Sequence, residues 1–105
     1  MQEKVRAFLE RRGHLPDPET ALLDLLAETG ELAKALLKAS DYGQQAPMAT
    51  PEIAEELGDA LYSLLAFAES LGINAEAALR AALEKYARRI AEHGTMGSEG
   101  EGGNP

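Results

Sequence analysis

Apolar residues recur three and four positions apart along most of the chain, as Val5, Phe8 and Leu9 do near its start. This spacing is typical of helices that bury one face. Asp17-Pro18 and Thr50-Pro51 each join an N-cap residue to a proline that fits the first turn of a helix. The pattern predicts four helices, over residues 2–12, 18–39, 51–71 and 75–93.

The composition agrees with an all-α fold and excludes several classes of protein. Alanine and leucine supply 19 and 16 of the 105 residues, whereas valine and isoleucine together supply 4. The absence of cysteine excludes a disulfide scaffold and thiol catalysis. A formal net charge of −8 argues against binding to nucleic acid. No apolar run approaches the roughly 18 residues that span a bilayer, so we expect a cytoplasmic protein without a membrane partner.

The last twelve residues differ from the rest of the chain. They include five glycines, and they bury too little apolar surface to offset the entropy of ordering. We therefore predict one helical domain over residues 1–93 and a disordered tail over residues 94–105.

Two of the predicted helices carry related acidic motifs. Residues 25–31, LLAETGE, align with residues 53–59, IAEELGD, at an offset of 28. Each motif has a glycine in the middle of a helix, where glycine costs up to about 1 kcal/mol relative to alanine. Two glycines at the same motif position indicate a shared reason, either in packing or in function.

Each motif places one acid in the apolar face of its helix and a second acid at the edge of that face. At 100° per residue, Glu28 and Glu56 lie among apolar neighbours, whereas Glu31 and Asp59 lie at the border. Either pair alone is typical of a solvated helix surface. A carboxylate on a buried face is costly without a partner, and no lysine or arginine lies three or four residues from Glu28. Helices packed through these faces would gather four carboxylates, which predicts a site for Mg²⁺ or Mn²⁺.

A basic pair lies on the fourth predicted helix. Lys85 and Arg89 are four residues apart and share a face with Ala78 and Ala82. Such cations occur as a solvated patch near a helix C-terminus. Beside a cluster of carboxylates and metal, the same pair would suit a polyphosphate.

The two acidic motifs resemble a known signature. Glu28-Thr29-Gly30-Glu31, followed after 24 residues by Glu56-Leu57-Gly58-Asp59, resembles the E-x-x-E…E-x-x-D pattern of MazG-like nucleotide pyrophosphohydrolases. The likeness extends over Ala21–Ile90 and includes the later segment EKYARRI. It implies an all-α helical bundle of about four helices, completed by homo-oligomerisation as a homodimer or a dimer of dimers. It also implies Mg²⁺-dependent hydrolysis of a nucleoside triphosphate, often a deoxynucleotide, to the monophosphate and pyrophosphate.

The resemblance also implies roles for individual residues. The implied metal ligands are Glu28, Glu31, Glu56 and Asp59. The residues implied to bind substrate phosphates are Lys85 and Arg89. Either Glu31 or Glu56 would accept a proton as the general base, and the sequence does not choose between them.

One departure from the pattern matters here, and two alternative interpretations remain open. Ala27 precedes Glu28 where many relatives carry a further glutamate, so the number of metal ions is open. Phosphoribosyl-ATP pyrophosphohydrolases have a Tyr-His pair after the aspartate, whereas Tyr62 is followed here by Ser63, which makes that enzyme the second interpretation. A third interpretation is a non-catalytic helical interaction module with a relict metal site.

Overall fold

The computed structural model describes residues 1–94 of the chain. Within that range it contains four helices, α1 Gln2–Arg12, α2 Pro18–Ala39, α3 Pro51–Ser70 and α4 Ala75–His93, and no β-strand. The predicted all-α class is confirmed, and α3 ends one residue earlier than predicted. Apart from Gly94, which caps α4, the predicted tail lies outside the described residues.

Local signals mark the ends of the helices. The side chains of Asp17, Thr50 and Asn74 each accept a hydrogen bond from the backbone N–H three residues further on. Gly13 and Gly72 follow α1 and α3 with φ angles of 92° and 67°, a left-handed conformation that glycine adopts without strain. These caps satisfy backbone groups that a helix end leaves without partners.

Met1–Ile73 forms one compact unit, and a second unit begins at Asn74. In the first unit, α3 packs along α2 and also contacts α1. Lys38 Nζ, near the end of α2, lies 3.2 Å from Glu52 Oε2, near the start of α3. The two helices are therefore antiparallel. α4, in the second unit, has no fully buried residue.

The core of the first unit consists mainly of small side chains. Its buried apolar residues are Leu9, Ala21, Ala35, Ala60, Leu65, Ala66 and Ala68. Larger side chains lie on the outside, and Leu23 and Leu26 are 65% and 64% exposed. Exposed apolar surface of this kind is common at protein interfaces. None of the helices in the described part of the chain is both long and apolar enough to cross a membrane.

A polar network holds α1 against the end of α3. Arg6 donates from Nε and Nη2 to the two carboxylate oxygens of Glu69, at 2.9 and 3.3 Å. Gln2 Nε2 donates to Glu69 Oε2 at 2.6 Å and to the Ile73 carbonyl oxygen at 2.8 Å. The hydrogen bond from Arg6 lowers the pKa of Glu69, whose side chain is only 10% exposed. The network fixes α1 along α3 and so determines where the end of α1 lies.

Neither motif glycine is required by packing within the described chain. Apart from the neighbouring residues of its own helix, no heavy atom lies within 4 Å of the position that a Cβ would take at Gly30 or Gly58. We expect Gly30→Ala and Gly58→Ala each to raise the free energy of unfolding by about 1 kcal/mol, because alanine has the higher helix propensity. Chemical denaturation measures the change.

Gly72→Ala is the matched control for these substitutions. The φ angle of 67° at Gly72 strains any residue with a Cβ, so the same change should lower the free energy of unfolding there. Destabilisation by all three substitutions would contradict the prediction for the helical glycines.

Candidate metal centre

Three carboxylates from two helices meet in the first unit. Glu28 comes from α2, and Glu56 and Asp59 come from α3. One carboxylate oxygen from each residue lies within 4.8 Å of the other two. The antiparallel helices α2 and α3 pack along each other, and acids from both motifs lie where the two helices are in contact. Oxygens at this spacing can bind a single divalent cation.

The burial of the motif acids agrees with their predicted positions on the helices. Glu28 and Glu56 are half-buried, whereas Glu31 and Asp59 are exposed. The predicted placement of one acid within the apolar face and one at its edge is therefore confirmed for both helices.

The three carboxylates repel one another, and a bound cation would relieve that repulsion. Partial burial, and then the negative charges of Asp59 and Glu28, raise the pKa of Glu56. Within Met1–Ile73, no lysine or arginine forms an ion pair with any of these three acids. Like charges held together without a counter-charge favour either protonation or a bound cation. A donor set made entirely of carboxylate oxygens suits a hard ion such as Mg²⁺ or Mn²⁺.

Glu31 borders this group of three carboxylates. It lies on α2 one turn beyond Glu28, and the group found among the described residues does not include it. Its negative charge still contributes to the raised pKa of Glu56. The role of Glu31 as a ligand stays a prediction.

The predicted phosphate-binding residues lie on α4, within the second unit. A depression of about 330 Å³ on this helix is lined by Lys85, Arg88, Arg89, Glu92 and His93. Lys85 Nζ also lies 5.1 Å from the centre of the Tyr86 ring. Sequence analysis missed Arg88, although its spacing of three from Lys85 places both on one helix face. Binding of phosphate by Lys85 and Arg89 stays a prediction.

Two polar residues without an assigned role lie on the same helix faces as the carboxylates. Asp24 precedes Glu28 by four residues on α2, and Ser63 follows Asp59 by four on α3. Both line a pocket of about 250 Å³ in the first unit. The spacing of four is the sequence signal that could have identified them.

The fold and the site define an all-α protein with an acidic cluster that could hold a divalent cation. Residues 17–93 match the family model of the MazG nucleotide pyrophosphohydrolase domain. The chain belongs to this family, as its motifs predict, and membership points to a nucleotide pyrophosphohydrolase. Comparisons with curated proteins and with solved structures gave no significant match.

Proposed function

We propose that this protein is a Mg²⁺-dependent nucleoside triphosphate pyrophosphohydrolase that produces a nucleoside monophosphate and pyrophosphate. The observation that carries the proposal is the meeting of Glu28, Glu56 and Asp59 in a chain of this family. These three residues hold the cation, and Glu31 joins them as a fourth carboxylate ligand. Mn²⁺ has a similar preference for oxygen and can take the place of Mg²⁺.

The reaction is attack of water on the α-phosphorus of the bound nucleotide. When bound, a divalent cation neutralises charge on the phosphate oxygens and makes water more acidic. Glu31 or Glu56 accepts the proton from the attacking water. As the new P–O bond forms, the bond from the α-phosphorus to the bridging oxygen breaks, and its electron pair leaves with pyrophosphate.

Phosphate binding by cations of α4 is also part of the proposal. Lys85 and Arg89 bind substrate phosphates, because ammonium and guanidinium groups form strong hydrogen bonds with phosphate oxygens. Arg88 lines the same depression as both residues and adds a third positive charge. The catalytic domain in this proposal covers residues 1–93.

Self-association is part of the proposal, as a homodimer or a dimer of dimers. Large apolar side chains on α2 and α3 face outward, while alanines fill the core. The most exposed of these on the two helices include Leu23, Leu26 and Leu57, which are 65%, 64% and 54% exposed. Association would remove this apolar surface from water.

The test is to incubate the full chain with each ribo- and deoxyribonucleoside triphosphate and to identify the first phosphate product. We expect pyrophosphate and monophosphate in equal amounts, loss of turnover on chelation, and recovery when Mg²⁺ is added. Orthophosphate as the first product would overturn the proposal. Absence of turnover, with no rise in melting temperature on adding Mg²⁺ and nucleotide, would favour the non-catalytic module.

A further inference from the structure

An open groove of about 390 Å³ lies between α1 and α3 on the exposed side of α1. Val5, Phe8 and Tyr62 supply its apolar lining, and Lys4 and Arg12 supply its charges. The rings of Phe8 and Tyr62 meet edge to face with their centres 5.8 Å apart, yet the two residues remain 40% and 37% exposed. Exposed aromatic side chains that line one groove are typical of a surface that binds a partner.

Half of the lysines and arginines of the first unit lie in or beside this groove. Met1–Ile73 contains 6 of these residues, and Lys4, Arg11 and Arg12 are three of them. The guanidinium carbons of Arg11 and Arg12 lie 5.9 and 6.0 Å from the centre of the Phe8 ring. Within Met1–Ile73, none of the three cations forms an ion pair with a carboxylate. The groove therefore has a positively charged rim that the first unit does not neutralise.

The acidic residues of α1 lie on a different face of the helix. At 100° per residue, Glu3 and Glu10 are about 140° and 160° from Phe8 around the helix axis. Lys4 and Arg12 are each about 40° from Phe8. The helix therefore presents its aromatic and cationic side chains together, away from its own carboxylates.

The groove is held in shape by contacts within the first unit. The hydrogen bonds from Arg6 to Glu69 fix α1 along α3. Cations are attracted to the face of an aromatic ring, so the Phe8 ring restricts the freedom of Arg11 and Arg12. A partner that binds here therefore immobilises fewer free side chains, which lowers the entropic cost of binding.

We propose that this groove binds an acidic segment of a partner protein, in which an apolar side chain lies between carboxylates. The apolar side chain packs against Phe8 and Tyr62, and the carboxylates pair with Lys4, Arg11 and Arg12. Each exposed ion pair contributes little, so the packed side chain supplies much of the affinity. The charges supply selectivity for an acidic partner.

The charge of the surrounding protein favours a short acidic segment over an extended polyanion. Met1–Ile73 carries 13 acidic side chains against 6 basic ones. Exposed charges are screened beyond about 8 Å at physiological ionic strength, so a short segment interacts chiefly with the cations of the groove. A nucleic acid or an anionic membrane would extend beyond the groove to acidic surface and be repelled.

The experiment measures binding of the full chain to a short fluorescent peptide by anisotropy. The peptide has one phenylalanine flanked on each side by a pair of glutamates. We expect saturable binding that weakens as salt is added, because salt screens the ion pairs. Replacing all the glutamates with glutamine, or the phenylalanine with alanine, should each weaken binding by about tenfold. The assay contains neither nucleotide nor metal, so its result is independent of the proposed enzymatic activity.

The combined substitutions Arg11→Gln and Arg12→Gln should weaken binding of the acidic peptide by about fivefold or more. Both side chains are exposed, so this double variant should keep the melting midpoint of the unmodified chain. A large decrease would show that the arginines stabilise the fold and would count against a binding role. The matched control combines Lys34→Gln and Lys38→Gln, which make the same charge change at exposed positions of α2. It should leave the affinity within about twofold.

Other results would assign the groove to a different occupant or to none. Absence of saturable binding at millimolar peptide, or equal loss of affinity in the two double variants, would overturn the proposal. Tighter binding of phosphatidylserine vesicles or of a single-stranded oligonucleotide, dependent on Arg11 and Arg12, would also overturn it. If the arginine double variant dissociates an oligomer of the full chain in sedimentation experiments, a second copy occupies the groove and the proposal is wrong.

Discussion

Replacing Glu56 with glutamine is expected to reduce pyrophosphate release by about a hundredfold or more while the protein remains folded. Loss of residues that only support metal ligands already costs roughly 10–100-fold in activity or affinity, so loss of a ligand carboxylate should cost at least as much. Glutamine keeps the size of the side chain and removes the charge. The steady-state rate of pyrophosphate release measures the effect.

The same substitution should leave the metal-free protein at least as stable as the unmodified chain. Partial burial and the nearby acids raise the pKa of Glu56, so the folded state binds a proton there more tightly than the unfolded state does. Ionised Glu56 therefore opposes folding, and its unfavourable effect grows as the pH rises through the raised pKa. Thermal melts at neutral pH should show an unchanged or higher midpoint for Glu56→Gln, and a smaller increase on adding Mg²⁺.

Glu55→Gln provides the matched control for this pair of measurements. Glu55 is the exposed neighbour of Glu56 on α3 and lies outside the group of three carboxylates, so the control makes the same charge change. It should retain most of the activity and the response to Mg²⁺. Equal losses in the two variants would show that net charge, rather than the carboxylate group, controls turnover.

The largest effect on stability is expected for Glu69→Ala. This change removes an almost fully buried carboxylate together with its hydrogen bonds to Arg6 and Gln2. Hydrogen bonds to charged groups contribute roughly 1.5–3 kcal/mol each, and part of that returns when Arg6 and Gln2 become hydrated. We therefore expect a loss of about 2 kcal/mol, or roughly 10 °C in the melting midpoint for a domain of this size.

The stabilisation by Glu69 should depend on pH. The hydrogen bond from Arg6 lowers the pKa of Glu69 in the folded state, and the hydrogen bond from Gln2 acts in the same direction. The contribution is present above the ordinary glutamate pKa of about 4.3 and is lost as the pH falls through the lowered value. Melting curves of both proteins from neutral to acidic pH should converge in that range.

Lys38→Ala is the control for Glu69→Ala. It removes an ion pair to Glu52 in which both side chains are about half exposed, and such pairs contribute little. Its melting midpoint should change much less than that of Glu69→Ala. If the two variants are destabilised equally, the network between α1 and α3 contributes no more than a surface ion pair.

The helix bounds could be predicted from the sequence because their signals are local. Asp17, Thr50 and Asn74 each cap a backbone N–H three residues away, so no knowledge of the tertiary fold is needed. The half-burial of Glu28 and Glu56 follows from the helical period in the same way. These features depend on contacts within one helix.

The remaining features depend on contacts between helices and could not be predicted in the same way. The pocket exists because α1 lies along α3, and the hydrogen bond from Arg6 to Glu69 joins residues 63 positions apart. The spacing of apolar and polar residues within one helix gives no information about such a contact. The burial of Ser63 and its place in the pocket lining therefore could not be predicted from the sequence.

The antiparallel arrangement of two related motifs limits how the chain can change in length. Adding one residue within α2 before Glu28 would move its carboxylate by about 1.5 Å and turn it by about 100°, away from the acids of α3. Residues 41–49, between the helices, are exposed, and insertions there leave the faces of both helices in place. Related chains should therefore vary in length in this connector, whereas deletions and insertions inside either helix would separate the acids.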